Sequence, residues 1–151
     1  MVVEAKMFAT AAHAAIGQKR KYSGDDYIVH PQRVAAIVEK HGGSDEMIAA
    51  AWLHDTVEDT DVTPDLITKM FGDNVADIVE GLTDVSLPED GNRAKRKSID
   101  RMHSARASTE AQFVKCADII DNSWDIAEND LSFAKVYKSE VFLLLLSLIH
   151  I

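Results

Sequence analysis

Ala49-Ala50-Ala51-Trp52-Leu53-His54-Asp55-Thr56-Val57-Glu58-Asp59-Thr60 is the stretch on which the reading of this chain turns. An apolar, alanine-rich helix runs into an adjacent His-Asp pair, and an adjacent Glu-Asp pair follows one turn later. Residues four apart share a helix face, so a continuous helix would stack His54 under Glu58 and Asp55 under Asp59. Three carboxylates and an imidazole at the end of such a segment make a poor core. Burying like charges together is unfavourable unless a cation neutralises them. For mixed nitrogen and oxygen donors, the natural cation is a divalent metal.

Outward from that stretch the chain reads as helices throughout. Met7, Phe8, Ala11, Ala12, Ala15 and Ile16 recur at helical spacing up to Gly17. After His30, Pro31 suits the first turn of a helix with Val34, Ala35, Ile37 and Val38 on its core face. Gly42-Gly43 ends it, and Ser44 or Asp45 caps the central helix. Thr63-Pro64 starts a short helix ending at Gly72, another covers Val75 to Leu82, and Asp84 to Gly91 reads as a loop. Asn92 to Arg106 is helical and basic. Most of its charge reads as a solvated face, with contact to substrate phosphates as the alternative. Ser108 caps a helix whose expected buried stripe is Phe113, Val114, Cys116, Ala117, Ile119 and Ile120, and Asp130 or Leu131-Ser132 opens the last one. No stretch alternates like a strand. The expectation is an all-α, compact multi-helix bundle of about seven or eight helices, with residues 1–151 as one domain.

Charge and composition narrow the function. A net charge of −9 argues against nonspecific nucleic-acid or anionic-membrane binding, so a phosphate-bearing substrate needs a local basic patch or a bound metal. The lone Cys116 excludes an intramolecular disulfide and suits a cytoplasmic location. No signal peptide is evident, and the apolar run from Val141 to Ile151 is too short to span a bilayer. That tail leaves three readings open: a cover for the core, a homo-oligomer contact, or an aberrant end.

The further ligand candidates are His30 and Asp118. A lone Asp or His on an apolar stripe usually finds an ordinary hydrogen-bonding partner. Beside an adjacent His-Asp pair, the balance reverses. The set His30, His54-Asp55, Asp118 resembles the metal signature of the HD phosphohydrolase superfamily. More narrowly, Lys21-Tyr22-Ser23-Gly24-Asp25-Asp26-Tyr27-Ile28-Val29-His30-Pro31, Leu53 to Thr60, Gly81-Leu82-Thr83-Asp84 and Val114-Lys115-Cys116-Ala117-Asp118 resemble the hydrolase domain of the RelA/SpoT alarmone family.

That resemblance implies a (p)ppGpp 3′-pyrophosphohydrolase, usually manganese-dependent, with His30, His54, Asp55 and Asp118 holding the metal. Other divalent transition metals suit the same donors. It implies that Glu58 and Asp59 position or deprotonate the attacking water. It also assigns Lys21, Tyr22, Ser23, Asn122 and Asp125 to the nucleotide. Tyr22 stands where many members carry a second basic residue, and Asp125 where a Thr often sits. Both concern base and sugar recognition. Trp124 reads equally as a neighbour of the nucleotide or as core. No synthetase half is expected within these blocks. Two alternatives remain: a phosphohydrolase of another nucleotide, such as the 2′-phosphate of NADPH, and a nucleotide- or metal-binding sensor without turnover. The intact Glu58-Asp59 pair favours an enzyme, because a sensor has no need of a water-activating carboxylate.

Overall fold

Ser44, Thr63, Asn92, Ser108 and Asp130 each turn a side-chain oxygen onto a backbone N–H of the helix they precede. Each thereby satisfies a donor that the first helical turn leaves free. These caps divide the chain. The computed structural model describes residues 1–148; Ile149, His150 and Ile151, the end of the apolar tail, lie outside the described residues. The described residues form nine α-helices: α1 (Val2–Ala15), α2 (Val29–Lys40), α3 (Asp45–Leu53), α4 (Thr56–Asp59), α5 (Pro64–Phe71), α6 (Asp73–Leu82), α7 (Arg93–Arg106), α8 (Thr109–Asn129) and α9 (Leu131–Ser147). A 3-10 turn at Pro88–Asp90 interrupts the loop before α7. The described residues contain no strand, only an isolated bridge between Lys19 and Asp26.

The bundle is organised around α3. Ala49, Ala50, Ala51 and Leu53 are wholly shielded from solvent, with α1, α2, α6 and α8 packed about them. Small side chains let four helices approach one axis. Gly81 does the same for α6: a Cβ there would lie 2.9 Å from the Cβ atoms of both Ala107 and Ala111. Phe8 and Phe71 meet edge to face at 5.6 Å, tying α5 back to α1.

Four expectations are corrected. The central helix is not continuous: α3 stops at Leu53, and α4 begins at Thr56, whose hydroxyl donates to the Leu53 carbonyl at 2.7 Å. The break replaces the stacked i, i+4 pairs with a turn that carries His54 and Asp55. His30 lies inside the first turn of α2 rather than before it. On α8, Phe113 and Ile120 face outward at 36% and 45% exposure, while Gln112, Asp118 and Asp121 turn inward. Trp124, 68% exposed, is not core. The apolar tail as far as Ser147 continues α9, which packs on α7 and α8 without a fully buried side chain of its own.

Asp100 of α7 fixes the loop after α6. Its carboxylate accepts from the backbone N–H groups of Val85 (2.9 Å) and Ser86 (2.8 Å) and from the Ser86 hydroxyl (2.7 Å). Replacing Asp100 by Ala would orphan these donors and is expected to cost on the order of 2 kcal/mol, read by urea unfolding.

Candidate metal centre and active site

Three separate helical segments aim four side chains at one point. His30 comes from α2, His54 and Asp55 from the α3–α4 turn, and Asp118 from the middle of α8. His30 Nε2 lies 3.1 Å from Asp118 Oδ1 and 3.6 Å from Asp55 Oδ2. His54 Nε2 lies 3.1 Å from Asp55 Oδ2 and 3.6 Å from Asp118 Oδ1. Ligand atoms of His30, His54 and Asp55 fall within 4.8 Å of one another.

The other ring nitrogens explain the arrangement. His54 Nδ1 lies 2.7 Å from the Ala51 carbonyl, which can only accept, so Nδ1 carries the proton. Nε2 then points at Asp55 and Asp118, buried without an aligned hydrogen-bond partner. His30 Nδ1 lies 2.7 Å from Asp121 Oδ2, and Arg33 Nε anchors the other Asp121 oxygen at 2.8 Å. Each imidazole is thus braced from behind with Nε2 turned to two carboxylates, and that of His30 is within hydrogen-bonding distance of Asp118 Oδ1. Two carboxylates and two imidazole nitrogens converging in a buried site need positive charge between them, a proton or a metal ion, and this nitrogen and oxygen donor set fits a divalent metal. The charge balance agrees. Burial would push both histidines down, yet Asp118 and Asp121 raise His30, while Asp55 and Asp118 hold His54 well above its ordinary value. Against its own burial, Asp118 is held well below the carboxylate range by Lys115, His30 and His54.

A second ring of contacts surrounds these four. The Tyr27 hydroxyl donates to Asp55 Oδ2 at 2.6 Å. Asn122 Nδ2 donates to Asp118 Oδ1 at 2.8 Å, and Lys115 Nζ to Asp118 Oδ2 at 3.2 Å. Glu58 accepts the Asp84 backbone N–H with Oε1. Partial desolvation, then the charges of Asp84 and Asp55, push Glu58 up to about 7. Asp59 points elsewhere and accepts from Gln18 Nε2 at 3.0 Å.

From the metal centre a cavity of about 600 Å³ opens between α7, α8 and α9. Asp55, Glu58, Asp84, Lys115 and Asp118 line its inner end. Arg93, Lys97 and Arg101, four residues apart on α7, line one side, Arg93 paired with Glu140 of α9 at 2.7 Å, and Val136, Tyr137, Val141 and Leu144 of α9 face them. The basic helix therefore divides: one stripe faces the cavity, while Lys95 and Arg106 remain exposed.

Of the residues assigned to the nucleotide, Asn122 lines this cavity. Lys21, Tyr22, Ser23 and Asp125 do not. Lys21 sits over the Tyr22 ring at 5.2 Å, the Tyr22 hydroxyl donates to Asp130 at 3.1 Å, and Ser23 accepts from the Asp25 N–H. Asp125 is taken by the buried Arg20 at 2.7 Å. Sequence reasoning missed Asp121, Tyr27, Lys115 and Arg20 as contributors. Asp121 could have been found: it lies three residues after Asp118, on the same face of an otherwise apolar helix.

Comparison with known proteins agrees with this geometry. The chain is 44% identical over 86 residues to a probable guanosine-3′,5′-bis(diphosphate) 3′-pyrophosphohydrolase of Synechocystis, covering 57% of this chain and 11% of that protein. It is 40% identical over 130 residues to guanosine-3′,5′-bis(diphosphate) 3′-pyrophosphohydrolase MESH1 of Danio rerio, covering 83% of this chain and 69% of that protein. The first curated relatives are much longer: this chain spans 11%, 17% and 18% of their lengths. A solved structure, described as a metazoan ortholog of SpoT that hydrolyzes ppGpp, superposes with a TM-score of 0.80 at 27% identity, covering 99% of this chain and 92% of that one. The family model for the HD domain matches residues 5–130, which take in all four converging side chains, and the chain belongs to the HD domain family.

Proposed function

We propose that this protein is a metal-dependent (p)ppGpp 3′-pyrophosphohydrolase that releases pyrophosphate and leaves GDP or GTP. The observation that carries the reading is the convergence of His30, His54, Asp55 and Asp118 beside a raised Glu58, in a cavity that Lys97 and Arg101 also line. The pyrophosphohydrolase relatives support the substrate. Manganese is the metal proposed, and imidazole with carboxylate suits it. A cytoplasmic site of action belongs to the same reading; no described helix is long and apolar enough to cross a membrane.

A divalent ion in this set would lower the pKa of a water it binds and neutralise charge on the phosphoryl oxygens. The chain's own groups do the rest. Glu58, held by the Asp84 N–H, accepts a proton of the attacking water as the water oxygen bonds to phosphorus and the bond from phosphorus to the ribose 3′ oxygen breaks, the 3′ oxygen taking its proton from solvent. Asn122 and Lys115 fix Asp118, and Tyr27 fixes Asp55. Lys97 and Arg101 offer charge to the diphosphates, and Tyr137 offers a flat face.

The deciding experiment compares kcat/KM for ppGpp, its adenosine counterpart and NADPH with manganese, and resolves the products. ppGpp is expected to give GDP and pyrophosphate, with looser guanine selectivity than in long bifunctional enzymes, because Tyr22 and Asp125 are engaged by Asp130 and Arg20 and leave the base without their contacts. NADPH as much the best substrate, or free phosphate as the main product from ppGpp, would overturn the assignment.

A further inference from the structure

His13 is buried at 1% exposure, yet it takes no part in the metal centre. Its ring lies 4.8 Å from that of Tyr27, and its Nδ1 lies 2.8 Å from Gln18 Oε1. The Gln18 amide in turn donates from Nε2 to Asp59 Oδ2 at 3.0 Å. The direction of this chain is fixed by its last member. An ionised carboxylate only accepts, so the Gln18 nitrogen must face Asp59 and its oxygen must face His13, and His13 Nδ1 must carry the proton. His13 Nε2 is buried with no hydrogen-bond partner, which suits a bare lone pair better than a stranded N–H. Gln18 itself is held at both backbone ends: its N–H donates to the His13 carbonyl, and its carbonyl accepts from the Tyr27 N–H. Gly17, at φ +64°, makes the turn that places it there.

Two branches thus leave one aromatic pair. Tyr27 reaches Asp55 directly, and His13 reaches Asp59 through Gln18. Asp59 has one oxygen committed to the amide, and its other oxygen takes no hydrogen bond from the described residues. Beyond burial, the charge of Asp55 reaches it and raises it, and its own charge helps to raise Tyr27.

We infer that His13 and Gln18 are positioning residues, a relay that fixes Asp59 through one oxygen and leaves its other oxygen free to orient the water. The two neighbouring carboxylates thereby take different tasks: Glu58 moves the proton, and Asp59 orients the water. This rests on the hydrolytic reading above and extends it to residues outside the cavity.

Gln18→Glu tests the relay, since it keeps the shape and the acceptor for His13 but sets a second carboxylate against Asp59. With manganese and ppGpp, kcat is expected to fall by about 10–100-fold, as for other groups that act through a neighbour, with KM changed by less than about threefold and metal content per chain unchanged. His13→Asn, whose amide nitrogen can take the place of Nδ1–H, should retain most activity, whereas His13→Leu should not. In the unmodified protein, long-range ¹⁵N–¹H spectra should show His13 protonated on Nδ1. The relay is overturned by an undiminished kcat in Gln18→Glu, by metal loss accompanying the fall, by equal activity of the two His13 variants, or by a proton on His13 Nε2. If the unmodified protein releases no pyrophosphate from ppGpp, the proposed function falls instead. The spectroscopic arm still decides the relay.

Discussion

Replacing Glu58 by Gln will lower turnover by about 10²–10⁴-fold, the range lost with an acid–base group, and leave metal content nearly unchanged. The substitution keeps an oxygen for the Asp84 N–H, so the loop position survives while the proton acceptor does not. The pH profile carries a second signature. Desolvation and the charges of Asp84 and Asp55 raise Glu58 to about 7. A base works only when ionised, so kcat should fall tenfold per pH unit below that value as protonation removes the acceptor. A bound cation favours the carboxylate and can only move the limb lower. The Gln variant should lose this limb, and steady-state kinetics from pH 5 to 9 on both proteins will show it. Turnover intact in the variant would transfer the role to Asp59.

The second large effect concerns the metal itself. Asp55→Asn and Asp118→Asn should deplete bound metal, measured by elemental analysis after dialysis against a metal-free buffer. Each removes a negative charge that faces the two imidazole nitrogens. Loss of an outer partner costs roughly 10–100-fold in affinity, and loss of a direct ligand should exceed that. Asp121→Asn, which touches only the back of His30, provides the comparison. If it depletes metal as severely as Asp118→Asn, the division between ligand and brace is wrong.

Much of this architecture is local, and local features were readable. Ser44, Thr63 and Ser108 stand before their helices because a hydroxyl there accepts from the first turn, and each does so. The four converging residues stood out because acids and histidines at apolar positions need partners. What could not be read depended on tertiary placement. No breaker residue marks the turn at His54-Asp55; a Thr hydroxyl bonding back to Leu53 accompanies it. Asp121 was not singled out in the sequence, and its role appears only where α2 places His30 against it. Arg20 and Lys21 are neighbours of like charge, and only the loop path decides that Arg20 turns inward to Asp125 while Lys21 stays outside. Phe113 and Ile120 carry apolar side chains at helical spacing, yet no element of the described structure covers them.

The basic side chains of the cavity have a consequence for how a ligand arrives. A polyanion at a distance meets a chain of net charge −9 and is repelled. Inside the cavity it meets Lys97 and Arg101 of α7, with Lys115 deeper in beside Asp118, and is attracted. The two fields have different ranges. Between about 10 mM and 150 mM salt, the screening length contracts from roughly 30 Å to roughly 8 Å, which erases the far repulsion and spares contacts made at hydrogen-bonding distance. Moderate ionic strength therefore quickens encounter with a highly charged ligand, contrary to the usual slowing when opposite charges attract from afar.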